Sequence, residues 1–324
     1  MNQNKIIFGM IIGVALLVIT GLFILELVGA FVLPTRTSNE ATIEILVPND
    51  DTAIYEWVQS AAQTFNQQDE KQQVTITRLR VSDTGQLEKQ LNSTQADVWL
   101  AEADFWRTMS NSDPFAEQGD AIAYSPLVWV AVQSIVTGEV DWQTMHDLAL
   151  NDFQFQAALP PIGQIDRLAA CLSATASYHD QADLTSTLAS DRGLQTWFDE
   201  FLQAVPNPRQ NPADQLSSRP PKVDVGLLPY HDAKPFTEST FQQIPARYQV
   251  GFNYPYLIRE AWSHLSPTES ANRQEVAQSF HDFLLSDGQQ NRLATYNLQP
   301  ASAVSGQTVT ADGRTVQALK WCWQ

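Results

Sequence analysis

Between residues 42 and 102 the sequence alternates between two periodicities, and this alternation restricts the possible folds more than any other feature. Strand-like segments stand at 42–48 ("TIEILVP"), 72–81 ("QQVTITRLRV") and 96–102 ("ADVWLAE"), with helix-like segments between them at 53–68 and 84–93. The first helix-like segment carries apolar residues at spacings of three and four, namely Ile54, Trp57, Val58, Ala61 and Phe65. This order is typical of a parallel sheet covered by helices, so we predict an α/β protein.

The rest of the chain repeats the alternation and adds two long extended passages. The first is "AIAYSPLVWVAV" (121–132), in which Pro126 favours a bend between two bodies, and the second is "ARYQVGFNYPYLIREAW" (246–262). Between them we predict an exposed loop at 206–221, strands at 153–160 and 222–229, and helices at 141–150, 164–178 and 193–205. We therefore predict two lobes joined by two crossings, with residues 36–125 and 255–324 in lobe 1 and residues 126–254 in lobe 2.

The C-terminal region supplies the last predicted elements. An amphipathic helix pair is expected at 270–300 and should pack on lobe 1. Trp321 and Trp323 alternate around Cys322, which predicts a final strand with both rings on one face. Cys171 and Cys322 are the two cysteines of the chain, and the sequence leaves open whether they pair.

The first 35 residues are expected to form a membrane anchor. The stretch Ile6–Leu25 contains no charged residue, and about 20 apolar residues match the thickness of a bilayer core. A cleaved signal peptide stays open as the alternative. Lys5 is the one basic residue before this stretch, so the charge bias favours a cytoplasmic N-terminus. The α/β body is thus predicted to follow one N-terminal transmembrane helix, in a single-pass protein of the cell membrane whose body is extracytoplasmic.

The composition excludes several classes of function. Asp and Glu number 36 against 19 Lys and Arg, which argues against a nucleic-acid partner or an anionic membrane surface. The histidines are scattered without the spacing of a metal site, and no nucleophile or nucleotide-binding fingerprint is found. We therefore expect no metal, no cofactor and no enzymatic activity. The turn that contains His231, Asp232 and Lys234 is interpreted as a solvated loop.

Six segments, taken in order, resemble bacterial extracytoplasmic solute-binding proteins with the two-lobed type 2 periplasmic binding fold. They are "IEILVPNDDTAIYEWVQSAAQTFNQQ", "ADVWLAEADFWRTM", "IAYSPLVWVAV", "VDVGLLP", "YQVGFNYPYLI" and "EVAQSFHDFLLSDGQQNRLATYNLQPA". The chain is most similar to the molybdate-binding-like proteins and to membrane-anchored relatives associated with von Willebrand factor A domains. The resemblance implies two lobes that close on a small ligand, for an ABC-type transporter with its permease or for a sensing system.

The resemblance also implies that the ligand is held by strand-to-helix loops. Helix N-termini in such loops present unpaired N–H groups and the positive end of the helix dipole. The candidate ligand-binding residues in these loops are Asp50, Asp51, Thr52, Ser82, Asp83, Thr84, Glu102, Tyr124, Ser125, Gly163, Gln164 and Tyr230.

The first of these loops departs from the pattern of the oxyanion binders. Such proteins usually offer small hydroxyl residues and glycine at this corner, whereas this chain has Asn49, Asp50 and Asp51. Carboxylates there would compete with an anion for the helix N-terminus. Our hypothesis is that Asp50, Asp51, Asp83 and Glu102 form an acidic cleft for a cationic or polyhydroxylated ligand. Two alternatives stay open: Asp51 caps the helix without contacting a ligand, or the fold serves as a cell-envelope protein-interaction module without a small ligand.

Overall fold

Two sheets organise the chain from residue 41 onwards. The computed structural model describes residues 40–79, 84–109, 114–116, 119–133, 141–237, 240–303 and 307–324. The predicted anchor at 1–35 lies outside these residues. Within the part of the chain that is described, no helix is both long enough and apolar enough to cross a membrane.

The described residues form β-strands, α-helices and short 3₁₀ helices. The strands are β1 (Ala41–Pro48), β2 (Gln72–Leu79), β3 (Val98–Leu100), β4 (Ser125–Val132), β5 (Ala157–Ala158), β6 (Asp183–Leu184), β7 (Val225–Pro229), β8 (Phe241–Pro245), β9 (Tyr248–Gln249), β10 (Gly251–Phe252), β11 (Tyr256–Ile258), β12 (Gln307–Thr308) and β13 (Thr310–Ala311). The α-helices are α1 (Thr52–Gln68), α2 (Thr84–Ser93), α3 (Asp104–Arg107), α4 (Trp142–Asn151), α5 (Ile165–His179), α6 (Ser186–Ala189), α7 (Arg192–Leu202), α8 (Pro212–Leu216), α9 (Pro267–Leu285), α10 (Asp287–Gln290), α11 (Gly313–Ala318) and α12 (Lys320–Trp323). Three short 3₁₀ helices stand at Lys234–Phe236, Leu293–Tyr296 and Ala301–Ala303.

The first sheet has the strand order β11-β3-β1-β2. Strand β1 runs parallel to β2 and β3, and β11 runs antiparallel to β3. Because residues from Ile45 to Val47 are buried in succession, both faces of β1 are covered, as is usual for a parallel strand. Helix α9 packs on this sheet and against α1, where the rings of Phe65 and Phe280 lie 5.2 Å apart. The predicted β-α-β-α-β order and the position of the closing helix are confirmed.

The second sheet has the order β10-β4-β7-β5, with β8 also paired to β4. The strand predicted at 153–160 is limited to β5, because residues 152–154 form an exposed turn after α4. The predicted loop at 206–221 is exposed only in part, because α8 buries Leu216 against this sheet. A side chain at Gly226 would meet Leu216 at 2.8 Å, so this glycine permits the close approach of α8. The prediction of an exposed loop was therefore wrong for α8.

Two crossings connect the sheets and lie side by side. Ala121 and Pro255 form an isolated antiparallel bridge, and the backbone N–H of Ile122 donates to the carbonyl of Tyr254 at 3.3 Å. Pro126 lies after the first crossing, within β4, where it pairs with Gly251.

The last residues, 307–324, form a segment that we call the C-terminal strap. Strand β12 pairs with β9, and β13 pairs with β6, so the strap is hydrogen-bonded to the middle part of the chain. Cys322 forms a disulfide with Cys171 of α5, with 6.2 Å between the Cα atoms. The predicted placement of all of residues 255–324 in lobe 1 therefore does not describe the strap, which associates with elements between residues 171 and 249.

The end of the strap is helical, which corrects the predicted final strand. Leu319, Cys322 and Trp323 are all buried, whereas Trp321 is only partly buried. Spacings of three and four place these buried residues on one face of a helix, and adjacent buried residues do not fit a strand with one buried face. The alternation of the two tryptophans was the misleading signal.

Candidate functional site

A cavity of about 710 Å³ lies where loops from both sheets meet. The loops follow β1 and β3 of the first sheet and β5 and β7 of the second, at the carboxyl ends of these strands. Ligands of open α/β sheets bind at such carboxyl ends. The lining residues are Pro48, Asn49, Asp50, Asp51, Leu79, Gln86, Trp99, Glu102, Trp106, Ile162, Gly163, Gln164, Ile165, Asp166, Asn211, His231, Asp232 and Phe252.

The cavity wall is acidic. Five of its residues are carboxylic acids, namely Asp50, Asp51, Glu102, Asp166 and Asp232. Among the described residues that line it, none is Lys or Arg, and His231 is the single group that can carry a positive charge. Five like charges around one cavity repel one another, so the arrangement favours either protonation or a bound cation.

Asp51 is committed to contacts within the protein. One carboxylate oxygen, Oδ1, accepts from the backbone N–H of Ile54 at 3.0 Å, which caps α1. The other oxygen accepts from the hydroxyl of Tyr254, whose backbone has a positive φ of 42°. Burial, and next the charge of Asp51, raise the pKa of Tyr254 well above its usual range, so this hydroxyl keeps its proton. The capping interpretation of Asp51 is therefore what the geometry shows.

Asp50 and Thr52, on either side of Asp51, differ from it. Asp50 is exposed at the cavity and accepts a hydrogen bond from the side-chain amide of Asn49 at 2.5 Å. Thr52 is exposed as well but does not line the cavity. Of the candidates at this corner, Asp50 has the carboxylate that a ligand could reach.

Three acids in the wall have raised pKa values. Burial, followed by the charges of Asp166 and other acids, raises the pKa of Glu102 well above its usual range. Burial and the charge of Asp232 raise the pKa of Asp166 to about 7. Burial also raises the pKa of Asp232, although His231 opposes this shift. Within the described ranges, no residue donates a hydrogen bond to the carboxylate of Glu102 or Asp166, and both residues line the cavity.

The loop before α5 brings Asp166 to the cavity. Gly163 has a φ of 87°, which glycine adopts without strain, and it faces open space. Its N–H donates to the carbonyl of Trp323 in the strap at 2.7 Å. Gln164 is the N-cap residue of α5, but its side chain makes no capping bond. The candidates Gly163 and Gln164 both line the cavity, as the sequence predicted.

His231 and Asp232 were missed by the sequence analysis, which placed them in a solvated loop. Ser125 Oγ accepts from the His231 backbone N–H at 3.2 Å and lies 2.9 Å from its Nδ1. Nε2 of His231 lies 3.7 Å from Asp51 and 3.8 Å from Asp232. Asp166 was missed too. The available signal was position, because each of these residues follows the end of a strand just as Asp50 and Asp51 do.

Three further candidates within the described residues, Tyr124, Ser125 and Tyr230, do not line this cavity. Tyr124 and Tyr230 line a separate cavity of about 180 Å³, and burial raises the pKa of Tyr124 to about 12. Ser125 is fully buried beneath His231. Ser82 and Asp83 lie outside the described residues, and Thr84 begins α2.

Apolar surface completes the wall. Trp99, Trp106 and Phe252 are among the lining residues but are at most 8% exposed, whereas Ile162 is 46% exposed. Trp106 also packs on Trp323 of the strap, with ring centroids 6.0 Å apart. Across the described ranges, no group of three or more His, Cys, Asp or Glu residues is arranged to hold a metal ion. The wall therefore combines negative charge with aromatic and aliphatic contact.

Comparison with known proteins identifies the class. The fold is the α/β fold of periplasmic binding proteins, and an extracellular solute-binding protein of Bordetella parapertussis has it with a TM-score of 0.63 at 12% identity, over 88% of this chain and 98% of that one. The family described as "Bacterial extracellular solute-binding protein" matches residues 51–296. The chain belongs to this family of binding proteins.

Two further solved structures show how widely the fold is used. Iron-bound HitA from Pseudomonas aeruginosa is similar at a TM-score of 0.55 and 14% identity, covering 86% of this chain and 97% of that one. The sulfate-binding protein SubI from Mycobacterium tuberculosis is similar at a TM-score of 0.53 and 12% identity, over 86% and 96%. No curated protein matches the chain in sequence. These neighbours establish the fold, and the ligand has to be inferred from the cavity.

Proposed function

We propose that this protein is the solute-binding component of an ABC-type uptake or sensing system, and that it holds a small organic cation in the acidic cavity. The observation that carries the proposal is the wall itself, with five carboxylic acids and neither Lys nor Arg among the described lining residues. We also propose that the N-terminal segment anchors the body on the extracytoplasmic face of the membrane, which would raise its effective concentration near a permease.

The raised pKa values support a cation over an anion. Burial and mutual repulsion make the charged forms of Glu102, Asp166 and Asp232 unfavourable in the empty cavity. A cation relieves this repulsion, whereas a sulfate or molybdate ion would add to it. The N-terminus of α5, which could otherwise attract an anion, carries Asp166 in its first turn.

The apolar part of the wall supports an organic cation over a metal ion. Ammonium groups with alkyl substituents use apolar as well as acidic contacts, and Ile162, Trp99 and Trp106 line the same cavity as the carboxylates. A volume of about 710 Å³ is within the usual range for small-molecule sites. A polyhydroxylated ligand would also use carboxylates and rings, but it would not relieve the repulsion among the acids.

An interaction module of the cell envelope without a small ligand is the competing function. Such a module has no need for an open cleft, and side chains such as Tyr254 and Ile162 could fill one. Tyr254 instead bonds to Asp51, and Ile162 faces an open cavity. These two contacts favour the binding protein.

A thermal-shift screen of the full chain tests the proposal. The panel comprises putrescine, choline, lysine, glucose, Ca²⁺, sulfate and molybdate. A ligand at a hundred times its dissociation constant adds about 2.7 kcal/mol of stability, which shifts the melting temperature by a few degrees. We expect a shift with an organic cation that Glu102→Gln abolishes, while Glu70→Gln, an exposed acid outside the cavity, leaves it intact. A shift with sulfate or molybdate, or with nothing, would contradict the proposal.

A further inference from the structure

His231 is the only group in the cavity wall, among the described lining residues, that can carry a positive charge, and it joins the two sheets. It follows β7 of the second sheet and contacts Ser125 of β4 in the same sheet. Its Nε2 faces Asp51, which follows β1 of the first sheet, at 3.7 Å. The chain therefore places one basic group of its own among the acids that the proposed ligand would meet.

The hydrogen bonds around His231 fit a neutral ring that carries its proton on Nε2. Ser125 Oγ accepts from the His231 backbone N–H at 3.2 Å, so its own hydroxyl proton is available for Nδ1 at 2.9 Å. In this tautomer the ring proton is on Nε2, which lies 3.7 Å from Asp51 and 3.8 Å from Asp232. These distances are too long for hydrogen bonds but short enough for strong Coulomb attraction.

Protonation of the ring fits the same surroundings. An imidazolium would donate from Nδ1 to Ser125 Oγ, and its charge would lie between Asp51 and Asp232. Asp166, in the first turn of α5, interacts electrostatically with His231, and the hydroxyl of Tyr254, from the second crossing, lies 3.5 Å from Nδ1. All the charged groups in this list are acids.

We propose that His231 determines the specificity of the cavity as a built-in competitor, because its protonated ring occupies the negative field that a cationic solute requires. This inference rests on the proposed function. Binding of the solute then expels the ring proton, so solute and proton bind antagonistically. The protein would take up its cation at neutral or higher pH and release it in acid, over a narrower pH range than carboxylates alone would give.

The experiment compares the pH dependence of binding in two proteins. Calorimetric titrations with putrescine and choline are run from pH 5.5 to 8 on the full chain and on His231→Gln. Each proton linked to binding changes the logarithm of the dissociation constant by up to about one for each pH unit. We expect the slope of the variant between pH 5.5 and 7 to be smaller than that of the wild type by up to about one. His264→Gln, which removes an exposed histidine outside the cavity, should keep the wild-type slope.

The outcomes separate this inference from the function beneath it. If putrescine or choline binds and both proteins give the same slope, the inference on His231 is overturned and the proposed function stands. If neither probe binds to the wild type at any pH, both are overturned. Should His231→Gln fail to fold by circular dichroism, His231→Asn takes its place. Calorimetry of the wild type in buffers of different ionisation enthalpy independently gives the number of protons released when the solute binds.

Discussion

The two walls of the cavity use an acid at a helix N-terminus in opposite ways. On the first-sheet side, Asp51 caps α1, bonds to Tyr254 and is almost fully buried. On the second-sheet side, Asp166 lies in the first turn of α5 but caps nothing, and its carboxylate faces the cavity with a pKa raised to about 7. The comparison teaches that an acid at a helix N-terminus can serve as a cap, as Asp51 does, or can face a cavity from the first turn, as Asp166 does, depending on whether the protein itself donates hydrogen bonds to the carboxylate.

Support for the second wall comes from the strap, and removing its disulfide should give the largest effect. Cys171→Ala combined with Cys322→Ala opens a loop whose ends are 151 residues apart, and loss of a native disulfide typically costs about 2–5 kcal/mol. We expect this loss in urea unfolding, together with weaker putrescine binding, because Gly163 bonds to Trp323 next to Cys322. Reduced wild-type protein should behave alike. An unchanged unfolding midpoint would show that the strap is not a support.

The second largest effect is expected on the first-sheet side of the cavity, where a substitution of Asp51 should lower the free energy of unfolding. Asp51→Ala removes a helix cap, worth about 1 kcal/mol, and leaves the buried hydroxyl of Tyr254 without its acceptor, worth about 1–3 kcal/mol more. We expect a loss of about 2–4 kcal/mol in urea unfolding. Asp50→Ala is the matched control and should cost less than about 0.5 kcal/mol, because Asp50 is exposed. Equal losses of unfolding free energy in the two variants would show that Asp51 is no more important for stability than Asp50.

Asp166→Asn should have the reverse profile, weakening binding while improving stability at high pH. The pKa of Asp166 lies near 7 in the folded protein against 3.8 for an ordinary Asp, so the folded state holds an extra proton between these values. Stability is therefore greatest in acid and falls as the pH rises through about 7. The variant should match the wild type at pH 4, melt higher at pH 8, and bind putrescine about tenfold more weakly, or ~1.4 kcal/mol.

The control for this prediction is Asp199→Asn, an exposed acid outside the cavity, which should change neither property. Melting curves at pH 4 and pH 8 and calorimetry at pH 8 are sufficient. A variant less stable than the wild type at pH 8 would mean that Asp166 is satisfied within the protein, as Asp51 is.

The smallest effect is expected at the apolar edge of the second wall. Ile162 is 46% exposed in the empty cavity, so Ile162→Ala should leave the unfolding free energy unchanged. Each buried methylene is worth about 0.8 kcal/mol, so partial contact with choline predicts about three- to tenfold weaker binding. Ile162→Leu should retain the affinity. If choline bound equally well to the alanine variant, the ligand would have to lie against the rings of Trp99 and Trp106 alone.

The sequence predicted the features that depend on periodicity. Strand β1, helix α1 and the two crossings follow from apolar spacing and from proline, and the family resemblance is confirmed by the match over residues 51–296. It also placed Asp50, Glu102 and Gly163 in the cavity loops. The sequence could not predict which acid would accept hydrogen bonds from the protein itself, because the donor to Asp51 is the hydroxyl of Tyr254, 203 residues away in the chain.

Long-range contacts account for the other misses as well. His231 was interpreted as part of a solvated turn because its neighbours in sequence are polar, but its partners Ser125 and Asp51 come from other elements. The helical end of the strap is fixed by burial against α5 and by the disulfide, neither of which leaves a local pattern. Sequence spacing thus locates the loops of a site, and packing decides which of their side chains remain available.

The strap also has a consequence for the rate at which a ligand is released. Two adjacent crossings can act as a hinge, so that one sheet rotates relative to the other about a single axis. In the strap, Trp323 packs on Trp106, which follows β3 of the first sheet, while Cys322 is bonded to Cys171 of α5. Any wide swing must break the contact between the two tryptophans, so we expect slow release of a captured solute when the disulfide is intact and faster exchange after reduction, which stopped-flow dilution would measure.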